Sequence, residues 1–187
     1  MAVTLTLDAA VAALHGGGVI AYPTEAVWGL GCDPFDAAAV RRLLAIKHRQ
    51  QSKGVILIAA NLAQIASLID RDALPPARIT AVLSSWPGPH TWLLPCTPLV
   101  PDWLRGDHPS IALRVTAHRQ SAALCAAFGG PLVSTSANLA GAAPARSRED
   151  LDPALLQQLA GVLDGATGGL AAPTPIRDAA SGLLLRS

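Results

Sequence analysis

Segments with the 3.6-residue spacing of an amphipathic helix alternate along this chain with short, continuous apolar runs, and that alternation limits the fold more than any other feature. LDAAVAALHGGG (7–18) puts apolar residues on one helical face and stops in three glycines, after which GVIAY (18–22) suits a buried strand. DAAAVRRLLAIKHR (36–49) repeats the helical period with Asp36 as N-cap, GVILIAA (54–60) is a second buried strand, and NLAQIASLI (61–69) is predicted as a helix capped by Asn61. PPARITAVLSSW (75–86) and HRQSAALCAAFG (118–129) read as helices, and TWLLP (91–95), SIALRV (110–115) and PLVSTS (131–136) as strands. Residues 140–144 form a loop, 146–159 a last helix, and the chain after Gly165 is irregular until GLLLRS. With 187 residues, 51% of them apolar, the expectation is one α/β domain over 1–187, a twisted mixed sheet with flanking helices.

A net charge of +1 gives no global pull toward nucleic acid or membrane, so an anion site must be a local cluster. Such a cluster exists. Residues 37–69 contain no Asp or Glu but carry Arg41, Arg42, Lys47, Arg49 and Lys53, and Lys47 and Lys53 are the only lysines in the chain. A charged loop is usually just solvated surface. Here the acid-free neighbourhood leaves the cations without obvious local partners, and Arg49, two residues after Lys47, projects beside it in an extended loop. A guanidinium fork beside a compact ammonium is a pairing suited to polyphosphate.

Two further segments carry hydrogen-bonding chemistry. YPTEAVWGLGCD (22–33) reads as a shaped loop after a strand, with Thr24 and Glu25 either lining a crevice or serving as turn and surface residues. Its glycines match neither the dinucleotide fingerprint nor the phosphate loop. PLVSTSANLAG (131–141) ends a strand in Ser134, Thr135, Ser136 and Asn138, with Ser134 and Ser136 on one side and Thr135 on the other. STSAN is not the serine nucleophile elbow. Arg114 interrupts an apolar strand, and reads either as an ion pair with Glu25 or Asp178 or as a carboxylate-binding arginine aimed into a cleft. Trp86 and Trp92 read as core residues, and none of the five histidines has metal-ligand spacing. Cys32, Cys96 and Cys125 fit reduced thiols in a cytoplasmic protein; the first thirty residues lack the basic start and unbroken apolar core expected of a signal peptide, and no apolar run reaches membrane-spanning length.

Taken in order, GGVIAYPTEAVWGLGCD, KHRQQSKGVILIAA, WPGPHTWLLP, SIALRVT, PLVSTSANLAG and IRDAASGLLLR closely resemble the bacterial threonylcarbamoyl-AMP synthases, the TsaC or YrdC family, over nearly the whole chain. The resemblance implies the YrdC-like, DHBP synthase-like fold in its short, single-domain form. It implies an enzyme that makes threonylcarbamoyl-adenylate and pyrophosphate from L-threonine, bicarbonate and ATP, with Mg²⁺ arriving on ATP and no metal caged by the protein. Partner proteins would then transfer the threonylcarbamoyl group to adenosine 37 of tRNA, which this chain itself would either touch or not.

By the same resemblance, the family's KxR and SxN signatures correspond to Lys47, Arg49, Ser136 and Asn138, around the ATP phosphates and ribose, with Lys47 and Arg49 catalytic. Ser110 and Arg186 would add nucleotide contacts, and Lys53 would reach the same phosphates. Thr24, Arg114, Ser134 and Thr174 would hold threonine, Arg114 taking its carboxylate. Many relatives carry proline where Gln50 and Gly54 stand, and longer relatives carry serine where Pro144 stands. The rival reading is a double-stranded RNA or tRNA binding module without synthase activity, in which the basic segment grips backbone phosphates. A carbamoyl-transfer domain of a hydrogenase maturation factor would share the fold, but within a much larger chain.

Overall fold

A computed structural model describes residues 2–139 and 141–186; Ala140 of the predicted loop and Ser187 of the predicted tail lie outside them. The elements are β1 (Thr4–Leu5), α1 (Leu7–His15), β2 (Ile20–Pro23), β3 (Trp28–Gly31), α2 (Ala37–Ile46), β4 (Ile56–Ala59), α3 (Pro76–Ser84), β5 (Thr91–Pro95), α4 (Asp102–Arg105), β6 (Ser110–Val115), α5 (Arg119–Phe128), β7 (Leu132–Ser136), α6 (Pro153–Leu156), β8 (Gly161–Leu163), β9 (Ile176–Asp178) and β10 (Leu184–Arg186). The strands form one sheet in the order β1-β8-β2-β3-β7-β4-β6-β5-β9-β10. It is mixed, as expected: β4 runs parallel to β6 and antiparallel to β7.

Period-two alternation sends neighbouring side chains to opposite faces, and each face has its own core. Leu57 and Ala59 of β4 join a large cluster with Val40, Leu43 and Leu44 of α2, Val82 of α3, Leu104 of α4 and Leu155 of α6. Ile58 joins Ile20, Tyr22 and Leu132 under Ala10 and Leu14 of α1 and Leu124 and Cys125 of α5. Helices α1 and α5 therefore cover the second face only in part. On β7 that face passes from Leu132, in the core, to Ser134 and Ser136, which line an open cavity.

Four strands, β1, β3, β8 and β9, escape the sequence pattern. β3 is WGLG, in which glycines dilute the strand signal, so the expected shaped loop is in fact a hairpin paired Ile20↔Gly31 to Pro23↔Trp28 around the turn 24–27. The helix predicted over 61–69 is instead two three-residue 3₁₀ turns, Leu62–Gln64 and Ala66–Leu68. Asn61 does cap the first, but Ile69 bridges to Cys96 and Asp70 N donates to Pro95 O at 2.9 Å, which draws the chain out of helical geometry. The helix predicted over 146–159 shrinks to α6. Asp150 accepts from the backbone N–H of Arg146 and Ser147 at 3.1 and 2.8 Å, a local turn that competes with the helix. Asp152 then caps a single turn before the chain extends into β8, which pairs with β1 and β2.

The loop leaving Arg49 is held against the end of α4. Val55 N donates to Leu104 O at 2.9 Å and Asp107 N to Ser52 O at 3.1 Å. Gly54 and Gly106 face each other there with φ of 61° and 64°. A Cβ on Gly54 would lie 2.8 Å from Arg105 O, and one on Gly106 2.3 Å from Ser52 O. Proline's fixed negative φ is incompatible with Gly54, where the loop closes by a glycine pair, but is compatible with Gln50 at φ −68°. Gly106→Ala is expected to destabilise the protein by roughly 2–4 kcal/mol, left-handed strain plus overpacking, read as a lower urea midpoint.

Candidate functional site

The basic segment is neither the solvated surface that a charged loop usually is nor the extended loop expected between Lys47 and Arg49. Lys47 closes α2, and the chain reverses at once: His48 N donates to Ala45 O at 3.0 Å and Arg49 N to Leu44 O at 2.9 Å. This is the bond pattern of a Schellman cap, whose left-handed residue is His48 at φ 48°, so the residue between lysine and arginine is the one that turns the chain. The reversal leaves Lys47 7% exposed. Its ammonium donates to Ser136 O at 2.5 Å, Asn138 O at 2.7 Å and Asn138 Oδ1 at 3.3 Å. The expectation of a cation without local partners is corrected here, because all three N–H donors meet neutral oxygens although no carboxylate faces them. Burial, and then the neighbouring Arg49, lower the Lys47 pKa to about 8.

Lys47 thus ties the end of α2 to the turn after β7. Asn138 completes that turn by donating from Nδ2 to Leu139 O and Ala142 O at 3.0 and 2.7 Å. Arg49 donates from Nη2 to Gly54 O at 2.9 Å, while its Nε is buried without a partner. Burial pulls the Arg49 pKa down, though a guanidinium remains charged in a protein. Lys53 is exposed at the cavity rim.

Arg114 gathers three segments remote from it in sequence. It leaves β6 on the face of Ser110 and Ala112, both of which also line the cavity. Its Nη1 donates to Thr91 Oγ1 of β5 at 3.2 Å and to Thr174 Oγ1 of the tail at 2.5 Å, and its Nε lies 3.5 Å from Glu25 Oε1. Asp178, the other acid weighed for this pair, instead accepts from Ser181 Oγ, Ala180 N and Ser181 N, bonds that hold its carboxyl below the usual range.

Lys47, Arg49, Lys53, Ser110, Ser136, Asn138, Arg186, Thr24, Arg114, Ser134 and Thr174, every residue that the family resemblance implies for the site, line one cavity of about 630 Å³, whereas Glu25, expected either at a crevice or on the surface, is buried and does not line it. Arg105, His48, His108 and Pro144 line it too. Arg105 went unseen because its pairing with Asp102 three residues earlier reads as a surface ion pair, a pairing the structure also contains. Six cations therefore border the space and no lining residue is acidic. Arg186 feels this crowding: desolvation first, and then Arg114 and Arg49, lower its pKa. Among the described residues, no three His, Cys, Asp or Glu side chains gather where they would hold a metal ion. Cys32 and Cys125 are buried, and burial pushes the Cys125 thiol up to about 12, far from a nucleophilic thiolate. A concave space of this size, ringed by cations, hydroxyls and one amide, is fitted to a small polyanion together with a carboxylate-bearing molecule.

Comparison with known proteins agrees with that chemistry. Residues 12–187 match the model of the Sua5, YciO and YrdC family, which carries the description "Telomere recombination". The chain is 63% identical over 183 residues to the threonylcarbamoyl-AMP synthase of Stenotrophomonas maltophilia, covering 98% of both chains. In fold it is similar to P. abyssi Sua5 solved in complex with L-threonine, with a TM-score of 0.84 and 26% identity over 92% of this chain and 50% of that longer one. E. coli YciO superposes over the whole chain and 96% of its own length, with a TM-score of 0.86 and 23% identity.

The Lys47 ammonium gives the site a pH dependence. Its folded pKa of about 8 lies below the ordinary lysine value of 10.5, so the unfolded chain binds more protons between those values, and stability of the empty protein rises with pH across that window. An anion in the cavity needs the charged form. Pyrophosphate affinity, measured by calorimetric titration, is expected to hold below the folded pKa of about 8 and to fall above it, and Lys47→Arg is expected to flatten the profile. A profile flat in the unmodified protein would separate Lys47 from anion binding.

Proposed function

The chain belongs to the Sua5, YciO and YrdC family, and on that premise we propose that it condenses L-threonine, bicarbonate and ATP into threonylcarbamoyl-AMP and pyrophosphate. The observation that carries this reading is the meeting, in one cavity, of the Lys47 and Arg49 turn with the buried guanidinium of Arg114. The first pair suits a triphosphate and the second an amino-acid carboxylate.

The reaction joins anions, and their mutual repulsion is the barrier that a cationic cavity lowers. The threonine amine attacks bicarbonate carbon and water leaves, giving a carbamate. A carbamate oxygen then attacks the ATP α-phosphorus and pyrophosphate departs. No covalent enzyme intermediate is required, so the protein's contribution is positioning and electrostatic stabilisation. In this reading Arg49, Lys53, Arg105 and Arg186 neutralise the phosphate oxygens, while Ser110, Ser136 and Asn138 supply neutral hydrogen bonds to phosphate or ribose. Lys47 fixes the Ser136 to Asn138 turn through its three bonds and adds its charge. Thr24, Ser134 and Thr174 surround the amino acid held by Arg114. Mg²⁺ enters as a companion of ATP, since the cavity lining offers no carboxylate to bind it separately.

The product's mixed anhydride makes it a donor for transfer to tRNA by downstream proteins, and a cytoplasmic location follows from those partners. Among the described residues no helix is long and apolar enough to cross a membrane. The RNA-binding alternative fares worse, because the cations converge inward on a volume suited to a small molecule and do not form an extended track.

Mass spectrometry after incubation with L-threonine, bicarbonate and ATP is expected to detect threonylcarbamoyl-AMP and pyrophosphate, with neither formed if any one substrate is omitted. Lys47→Ala is expected to lower product formation at least ~100-fold and stability by about 1–3 kcal/mol, since three partly buried oxygens lose their donor. Unaltered turnover in that variant would contradict the assignment.

A further inference from the structure

Among the described residues Glu25 is the only buried carboxylate, and it does not line the cavity. It stands in the turn between β2 and β3, where Thr24 bonds Val27 O through both N and Oγ1, at 3.2 and 2.7 Å. The tail covers this turn: Gly168 N donates to Thr24 O at 2.9 Å and Leu170 N to Glu25 O at 3.1 Å. So fixed, the side chain is 7% exposed. Its Oε1 accepts from Thr116 Oγ1 at 2.6 Å and lies 3.5 Å from Arg114 Nε, an ion-pair contact without a hydrogen bond, since both Arg114 Nε and Glu25 Oε2 are buried with no hydrogen-bond partner.

A buried ion pair of this kind needs a reason beyond stability, because apolar residues of similar volume usually serve a core as well or better. The geometry around Arg114 supplies one. Its side chain is 5% exposed, its Nη1 is occupied by Thr91 and Thr174, and its Nε edge faces Glu25. Nη2 forms no hydrogen bond among the described residues and is not among the buried unpartnered atoms, in a side chain that lines the cavity. Because Glu25 faces the Nε edge and not Nη2, both N–H donors of Nη2 stay free for a ligand.

We propose that Glu25 is a positioning residue of the site: by taking the Nε edge of Arg114 it sets the guanidinium plane, balances its charge in the empty protein and leaves Nη2 presented to the carboxylate of the bound amino acid. This rests on the synthase reading above and adds to it a residue that touches no substrate. Thr116 acts through Glu25 in turn, since its hydroxyl orients the carboxylate. The arrangement reserves the buried end of the cavity for ligands with a carboxylate, and it leaves the phosphate-facing cations untouched.

The test compares L-threonine with L-threoninol, in which CH₂OH replaces the carboxylate, by calorimetry on the unmodified chain, Glu25→Gln and Thr116→Val. Glu25→Gln is expected to weaken L-threonine binding by about ten- to a hundredfold, the scale of a misplaced positioning group, with no change for L-threoninol. In turnover the same variant should raise KM for threonine and leave KM for ATP unchanged. Thr116→Val should give a smaller loss of the same selective kind, and it carries the test alone if Glu25→Gln fails to fold. Equal weakening of both ligands, a parallel rise in KM for ATP, or unchanged threonine affinity would overturn the positioning role. An unmodified chain that binds ATP but not L-threonine would overturn the synthase reading and this proposal together, whereas threonine binding indifferent to both substitutions would remove only Glu25.

Discussion

Six like charges share one small cavity, and the protein has to hold them there when no anion is bound. In a partly desolvated space repulsion between cations is screened less than in water, so each is better held by groups that keep it charged. The fold meets this constraint mostly with dipoles. Lys47 rests on two carbonyls and an amide oxygen, Arg49 on the carbonyl of Gly54, and Arg105 on the His108 carbonyl and the rim carboxylate of Asp102. Only Arg114, the most deeply placed arginine, has a buried carboxylate behind it. Neutral acceptors stabilise a cation without cancelling its field, so the cavity stays attractive to a polyanion.

The same constraint explains how the sheet is used. Helices α1 and α5 cover Ile20, Tyr22, Ile58 and Leu132, and beyond that cover the face turns to Ser134, Ser136, Ala112 and Arg114. A strand that is apolar at one end and polar at the other marks where the helical layer stops. The uncovered part is then walled by backbone from elsewhere: the turn after α2, the end of α4, and the tail from Pro173 to Arg186. Wall and floor meet through named bonds, Lys47 to the end of β7 and Arg114 to Thr174, so the site's geometry is part of what joins the tail and α2 to the sheet.

Much of this was legible in the chain. The helix-strand alternation points to a mixed α/β sheet because period 3.6 and continuous apolar runs report burial directly, and α1, α2, α3 and α5 with β2, β4, β5, β6 and β7 lie where that pattern puts them. The short strands β1, β8 and β9 carry two or three residues each, too few to show a period, and they form only because long-range partners satisfy their backbone. Residues 146–159 fail as a helix for a related reason: a local Asp150 turn and the pairing of β8 outweigh propensity.

For the site, the kinds of residue were determined by the chain itself: cations in an acid-free segment, hydroxyls and an amide at a strand end, and one arginine inside an apolar strand. Burial of a charge is costly wherever it occurs, so such residues stand out in any context. What the tertiary structure alone decided is who meets whom. Arg114 had two candidate acids 89 and 64 residues away, and only the folded turn between β2 and β3 selects Glu25 over Asp178. Lys47 reads as an anion-binding cation without local partners, and only the Schellman reversal at His48 brings it under the end of β7, onto neutral oxygens. Electrostatic partners and burial depend on distances in space, and in this chain those distances are set by backbone hydrogen bonds between segments that local sequence cannot connect.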